Sequence, residues 1–207
     1  MKKCMILLLS FVLVLAVSGA SAMSLSPETY PTTINTQGTV QYYMSIVDDT
    51  KIENEGFFTI GLYGPEVFRT SSVKTLAVGD TIILNGTNVK ISAINQTEDG
   101  WLELIPSAGE YGYVFLVPSD TQPYYIAVVD DWVSCAKITE LKVWLPLPDK
   151  FTYVYGPEEE HFTAAGFIKE LQNGAGEWMN QYNTMVTLNN GVPIMITHND
   201  YPEGPVE

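Results

Sequence analysis

Two Asn-Gly dipeptides constrain the fold of this chain more than any other feature of its sequence. Each of them, Asn85-Gly86 and Asn190-Gly191, separates two short segments rich in apolar and β-branched residues. Asn-Gly favours the type I′ turn of a two-residue β-hairpin, because both central residues of that turn need a positive φ. Pairing across the first turn places five apolar residues on one face: Ile82, Leu84, Val89, Ile91 and Ala93. The sequence therefore predicts antiparallel hairpins with one apolar face.

Further strand-like segments cover most of the remaining chain. Apolar, aromatic and β-branched residues are concentrated in Thr39–Val47, Gly56–Tyr63, Ile91–Gln96, Trp101–Ile105, Tyr111–Val117, Tyr124–Val129, Ile138–Leu145, Thr184–Leu188 and Ile194–Thr197. One amphipathic helix is predicted over 163–173, with Thr163 as its N-cap and Asn173-Gly174 at its end. The predicted fold is mainly β: an antiparallel meander of hairpins in a small barrel or sandwich, with the short helix before a C-terminal hairpin.

The N-terminus has the features of a secretory signal. Lys2-Lys3 precedes the apolar run Ile6–Val17, and Ala20-Ser21-Ala22 is a typical cleavage signature. We expect cleavage near Ala22, secretion to the periplasm or the extracellular space, and no membrane insertion afterwards.

Composition then suggests how the chain is organised. We expect a signal peptide at 1–22, a flexible leader rich in Ser, Thr and Pro at 23–37, and a single β-rich domain at 38–207. A weak sub-boundary is expected near 64–72, where Gly64-Pro65 interrupts the strand pattern.

Acidic residues dominate the charge of the mature chain. The sequence has 10 Lys and Arg against 24 Asp and Glu, and two of the basic residues lie in the signal, which leaves a net charge of −16. Such a chain is repelled by phosphate backbones and by anionic lipid surfaces. We therefore expect no nucleic-acid partner and an acidic, soluble surface.

Cysteine usage indicates the type of organism. Cys4 lies in the signal, so Cys135 remains alone and cannot form an intramolecular disulfide. Secreted eukaryotic domains more often use disulfides, so the pattern favours a bacterial exported protein.

Cys135 also suggests a test for thiol catalysis. A nucleophilic thiol needs an imidazole beside it, and the chain has two histidines, His161 and His198. A small secreted hydrolase that pairs Cys135 with one of them is thus an alternative interpretation. The segment Trp132–Ile138 has the pattern of a half-buried strand, which favours a structural thiol. We assign no catalytic residue.

The acidic run Glu158–Glu160 and the adjacent His161 form the densest group of metal-ligand types. The His-Glu-x-x-His spacing of zinc sites and the calcium-loop pattern are both missing from the sequence. Acidic residues just before a helix also interact favourably with its dipole. We therefore predict no metal site and no cofactor.

Aromatic residues give the one positive functional signal. Tyrosines recur in or beside the predicted strands, where amphipathic rings suit carbohydrate or peptide ligands. The candidate ligand-binding residues are Tyr111, Tyr113, Tyr124, Tyr125 and Trp132. The favoured interpretation is a secreted, non-catalytic binding or accessory module with a glycan or an envelope protein as its partner. Besides the hydrolase, a structural self-associating domain is the other alternative.

Overall fold

The computed structural model describes residues 22–35, 37–107, 111–156 and 159–199 of the 207-residue chain. Within these ranges the protein is mainly β, as the sequence predicts. In chain order the elements are β1 (Ser24–Leu25), β2 (Glu28–Thr29), β3 (Thr39–Asp48), α1 (Ile52–Glu55), β4 (Phe57–Arg69), α2 (Thr70–Val73), β5 (Thr81–Leu84), β6 (Thr87–Gln96), β7 (Leu102–Pro106), β8 (Val114–Pro118), β9 (Tyr124–Val129), β10 (Trp132–Val133), β11 (Cys135–Trp144), β12 (Thr152–Tyr155), β13 (Glu160–Thr163), α3 (Ala164–Gln172), a 3₁₀ helix (Ala175–Trp178), β14 (Thr184–Asn189) and β15 (Val192–His198). None of the described helices is long and apolar enough to cross a membrane.

Both Asn-Gly hairpins form with the predicted pairing. In the first, Leu84 pairs with Thr87 and Ile82 with Val89, and the turn residues Asn85 and Gly86 have φ values of 48° and 74°. The second turn joins β14 to β15 in the same way, with both of its central residues at positive φ. The Asn-Gly chemistry therefore determines the register of each pair of strands.

A buried carboxylate attaches the first turn to the rest of the sheet. Glu66 in β4 is 4% exposed. Its oxygens accept a hydrogen bond from the backbone N–H of Asn85 at 3.0 Å and another from the Ser134 hydroxyl at 2.6 Å. These donors satisfy a polar group that would otherwise be costly to bury.

The long strand β4 is the centre of the sheet. The hydrogen-bonded order is β1-β5-β6-β7-β8-β9-β4-β3-β14-β15-β12-β13, with β2 and β11 also on β4 and β10 on β9. The first half of β4 pairs with β3 and β11, and the second half pairs with β2 and β9. The strand runs unbroken through Gly64-Pro65, where the sequence suggests a weak boundary.

Two pairings differ from the antiparallel meander expected from the sequence. Strand β12 lies parallel to β15, and β1 lies parallel to β5, so the sheet is mixed. Parallel neighbours are joined by a crossover connection and not by a hairpin turn. Turn signals in the sequence predict only pairs of strands that are adjacent in sequence, so they do not predict these two pairings. Part of the segment expected to be a flexible leader is paired as well, because β1 and β2 lie within 23–37. The predicted signal, apart from Ala22, lies outside the described residues.

The buried apolar side chains form two hydrophobic clusters. The helical core contains Tyr42, Met44, Ile52, Phe58, Ile60, Leu62, Val143, Leu147, Phe151, Tyr153, Phe167, Leu171, Met179, Val186, Leu188 and Ile196. The meander core contains Phe68, Val73, Ile82, Leu84, Val89, Ile91, Leu104, Val114, Leu116, Ala127 and Val129. Strand β4 contributes to both, with Phe58, Ile60 and Leu62 in the first and Phe68 in the second.

The predicted helix is confirmed as α3. The Thr163 hydroxyl accepts a hydrogen bond from the Gly166 N–H at 3.3 Å, as an N-cap does. Gly174 follows the helix with a φ of 90°. Phe167 is fully buried, and its ring lies 5.0 Å from that of Tyr153 and 5.3 Å from that of Phe151. This face joins the helix to the sheet.

Candidate functional site

The five aromatic residues predicted to bind a ligand have different environments in the structure. Tyr111 and Tyr125 pack against the meander core. Tyr124 lies beside Tyr30 and under the Arg69 guanidinium, which is 5.7 Å from its ring. Of the remaining two, Tyr113 is held by neighbouring side chains, and Trp132 lines two surface hollows. The structure therefore does not gather the five into one surface.

Tyr113 is held in place by two side-chain contacts within the fold. Its hydroxyl donates a hydrogen bond to the Asp131 carboxylate, and its ring meets Phe115 edge-on at 5.3 Å. The hydrogen bond to Asp131 raises the pKa of Tyr113 to about 12, because ionisation would remove the donated proton and create a phenolate beside a carboxylate. This tyrosine is engaged within the fold.

Trp132 belongs to an aromatic pair that the sequence does not reveal. It begins β10 directly after Asp130 and Asp131, whose φ values of 45° and 74° form the turn from β9. Its ring packs edge-on against that of Tyr182, with 6.0 Å between centroids, and Tyr182 is 41% exposed. We call this pair the aromatic platform.

Two shallow hollows meet at the aromatic platform. One, of about 310 Å³, is lined by Trp132, Tyr182, Asn180 and Asn183. The other, of about 230 Å³, is also lined by both rings, together with Tyr43, Asp131, Val133, Gln181 and Asn199. Each hollow thus combines aromatic surface with amide side chains, and one of them adds a carboxylate.

A network of hydrogen bonds fixes the loop that carries Tyr182. The Asn180 side-chain oxygen accepts from the Tyr182 N–H at 2.9 Å, and the Asn183 side-chain oxygen accepts from the Asn180 N–H at 2.9 Å. The Asn183 amide also donates to the Trp178 carbonyl at 2.9 Å. These bonds fix the backbone that carries Tyr182 before β14 begins, and the ring contact with Trp132 then limits where the Tyr182 side chain lies.

A second site is more enclosed than these two hollows. It is a cavity of about 210 Å³ whose walls include Tyr153, Tyr155, Phe162 and Trp178, with Glu160, Glu170, Ala175 and His198 completing its lining. We call it the aromatic cavity. Its residues come from β12, β13, β15, α3 and the 3₁₀ helix.

The parallel pairing of β12 with β15 builds the floor of the aromatic cavity. It places His198 opposite Tyr155, with 5.5 Å between their rings. The antiparallel pairing of β12 with β13 places Phe162 opposite Tyr153, with 5.7 Å between rings. The Tyr153 hydroxyl and Nδ1 of His198 are hydrogen-bonded at 3.1 Å, and both residues are 2% exposed.

Cys135 is buried and does not lie beside a histidine. It is 4% exposed, and burial, with a smaller effect of the Glu66 carboxylate, raises the pKa of its thiol to about 12. In the hydrogen-bonded order, strands β4, β3 and β14 separate β11, which carries Cys135, from β15, which carries His198. His161, exposed on β13, lies two positions further. The raised pKa favours the protonated thiol over the thiolate that a nucleophile needs.

The acidic run before α3 is only partly described. Glu158 lies outside the described residues, whereas Glu160 and His161 begin β13. Among the residues that the structure describes, no group of three or more His, Cys, Asp or Glu side chains is placed to hold a metal ion.

The chain matches no known protein family, no curated protein and no solved structure. The geometry of its own surface therefore carries the functional argument.

Proposed function

We propose that this protein is an exported, non-catalytic binding module whose aromatic platform holds a neutral glycan. One observation carries the proposal: the Trp132–Tyr182 pair lies where two open hollows meet, and amide side chains surround it. The signal-like N-terminus supplies the argument for export.

The chemistry of the aromatic platform suits a sugar. The C–H face of a sugar ring packs on an aromatic ring, and its hydroxyls can donate to and accept from amide groups. The hydrogen-bonded loop around Asn180 and Asn183 holds Tyr182 before any ligand arrives. A pre-organised ring gives contact area with little loss of conformational entropy.

Charge favours a neutral glycan over an anionic one. The full chain carries a net charge of −14, and Asp131 lines one of the hollows. An anionic polymer would be repelled, whereas a neutral sugar pairs few full charges. Affinity should therefore depend little on salt concentration.

The environment of Cys135 supports a non-catalytic role. A thiol whose pKa is raised to about 12 is almost entirely protonated near neutral pH and is a poor nucleophile. Its position away from both histidines supports the same reading.

A glycan array tests the proposal with the mature protein and three variants. Trp132→Ala and Tyr182→Ala should each weaken binding to a neutral oligosaccharide by about tenfold or more, which corresponds to about 1.4 kcal/mol. Trp144→Ala is the matched control, because this tryptophan is 61% exposed but packs on Phe57 and lines neither hollow. Binding should persist at about 0.5 M salt, where the Debye length is only a few ångströms.

Three results would overturn the proposal. The first is no binding to any neutral oligosaccharide on the array. The second is equal binding by Trp132→Ala and the unaltered protein. The third is binding that collapses at high salt, which would indicate a cationic partner held by acidic residues.

A further inference from the structure

The aromatic cavity has a composition different from that of the aromatic platform. Tyr153, Tyr155, Phe162 and Trp178 contribute rings, and Glu160 and Glu170 contribute carboxylates. Its lining contains no Lys or Arg among the described residues. Aromatic faces carry negative electrostatic potential, so rings and carboxylates attract the same kind of group.

We propose that the aromatic cavity is a binding site for a small quaternary ammonium ion. The attraction between a cation and an aromatic face strengthens when the cation is partly shielded from water, and this cavity is more enclosed than the hollows at the aromatic platform. Tyr153 and His198, each 2% exposed, lie at its base, whereas Tyr155, Phe162 and Trp178 are more accessible.

The structure brings the rings together from β12, β13 and the 3₁₀ helix. Tyr153 and Tyr155 are two positions apart on β12, so they share a face, and their ring centroids are 6.3 Å apart. Phe162 joins them from β13, and Trp178 lies at the rim on the 3₁₀ helix, 71% exposed. A ligand at the centre would therefore meet aromatic surface from more than one side.

Size limits the ligand. The volume of about 210 Å³ is below the roughly 300–1,000 Å³ of pockets that take drug-sized molecules. A trimethylammonium group on a short chain is of the right scale, whereas a peptide or an oligosaccharide is too large to be enclosed.

Hydrogen-bonding requirements favour a methylated ammonium over a primary one. A primary ammonium has three N–H donors that need acceptors once it leaves water, and Glu160 and Glu170 could accept only from those that point away from the ring faces. A quaternary ammonium has none, so apolar ring faces can surround it without leaving donors unsatisfied. Glu160 and Glu170 then supply the opposing charge.

The same two carboxylates select against a phosphocholine headgroup. Its phosphate would lie within a few bonds of the ammonium and would be repelled by Glu160 or Glu170. The proposed ligand is therefore a free small cation, of which choline is the simplest probe.

Isothermal titration calorimetry on the mature protein tests this proposal with four probes. Choline should bind, and the neutral isostere 3,3-dimethylbutan-1-ol should bind at least about tenfold more weakly, because it has the same shape without the charge. Ethanolamine and phosphocholine should each also bind at least about tenfold more weakly than choline.

Variants locate the binding at the aromatic cavity. Trp178→Ala and the double change Glu160→Gln with Glu170→Gln should each weaken choline binding by at least about fivefold. Both changes alter side chains at or near the protein surface, so the fold should be retained. Trp144→Ala is the control, because this tryptophan is 61% exposed and lies on β11, outside the aromatic cavity.

The outcomes that would overturn the proposal are specific. They are no choline binding up to about 10 mM, equal binding of the neutral isostere or of phosphocholine, or unchanged choline binding by Trp178→Ala. Trp132→Ala should leave choline binding intact, so failure of the glycan proposal would not appear as failure at this site.

Discussion

Replacing Gly86 isolates the contribution of a single backbone conformation to stability. The residue has a φ of 74° at the turn between β5 and β6. Apart from the two residues adjacent in the chain, no atom lies within 4 Å of the position that a Cβ would take there. A new side chain therefore has room, and any loss of stability must come from the left-handed backbone and not from a clash.

The expected loss follows from that conformation. An L-residue in the left-handed region costs about 1–2 kcal/mol, and a strained β-branched residue costs up to about 3 kcal/mol. For a protein of roughly this size, Tm falls by about 2–4 °C per kcal/mol, so a loss of about 1–3 kcal/mol in Gly86→Val should lower Tm by about 2–12 °C. Gly86→Asn is the matched comparison and should lose less than about 1 kcal/mol, because Asn tolerates this region.

Urea denaturation and scanning calorimetry measure the effect, and the second hairpin provides a replicate. Gly191 has a φ of 80° and is equally free of neighbours, so Gly191→Val should give a similar loss. Equal stabilities of Gly86→Val and Gly86→Asn would refute the reasoning. That result would mean that the turn is not left-handed and that the paired register of Ile82 with Val89 is wrong.

Three further predictions concern the thiol, the helical core and the N-terminus. At about pH 8 the native Cys135 should react slowly with a thiol reagent and quickly in guanidinium chloride, because its pKa is raised to about 12 by burial; rapid reaction of the native protein would contradict this. Because the pKa of the folded thiol lies above the value of about 8.5 for an exposed thiol, the free energy of unfolding should not depend on this group below about pH 8.5. It should fall as the pH rises from there towards 12, where only the unfolded thiol ionises readily. Phe167→Ala should cost about 3–5 kcal/mol in urea denaturation, against less than about 0.5 kcal/mol for the exposed Val78→Ala; equal losses would place Phe167 outside the core. N-terminal sequencing of the exported protein should begin at Met23, and an intact signal on soluble cytoplasmic protein would disprove export.

Local chemistry made the hairpins and α3 predictable. The Asn85-Gly86 turn and the Thr163 N-cap depend on residues that are neighbours in sequence, and both form as expected. The one-turn helices α1 and α2 were not predicted, because four residues are too few to show a helical period. The parallel pairing of β12 with β15 was also missed, since it joins segments separated by β13, α3 and β14.

The candidate sites were harder to predict for the same reason. The sequence offers Trp132 as a candidate, but its ring partner Tyr182 lies in an irregular loop with no periodic pattern. Tyr111 and Tyr125 pack against the meander core. The sequence does not predict this, because alternation along a strand does not tell which face of the sheet is covered. The aromatic cavity depends on the parallel pairing that brings Tyr155 to His198, so its composition could not be deduced from Tyr153-x-Tyr155 alone.

Strand β4 couples the unfolding of the two cores. Its first half forms a wall of the helical core and its second half a wall of the meander core. If either core opens, the strand loses partners on β3 and β11 or on β9, and the other core loses the anchor of its central strand. The protein should therefore unfold in one cooperative transition. Phe167→Ala, a change in the helical core, should then also speed amide hydrogen exchange in β9, which belongs to the meander core.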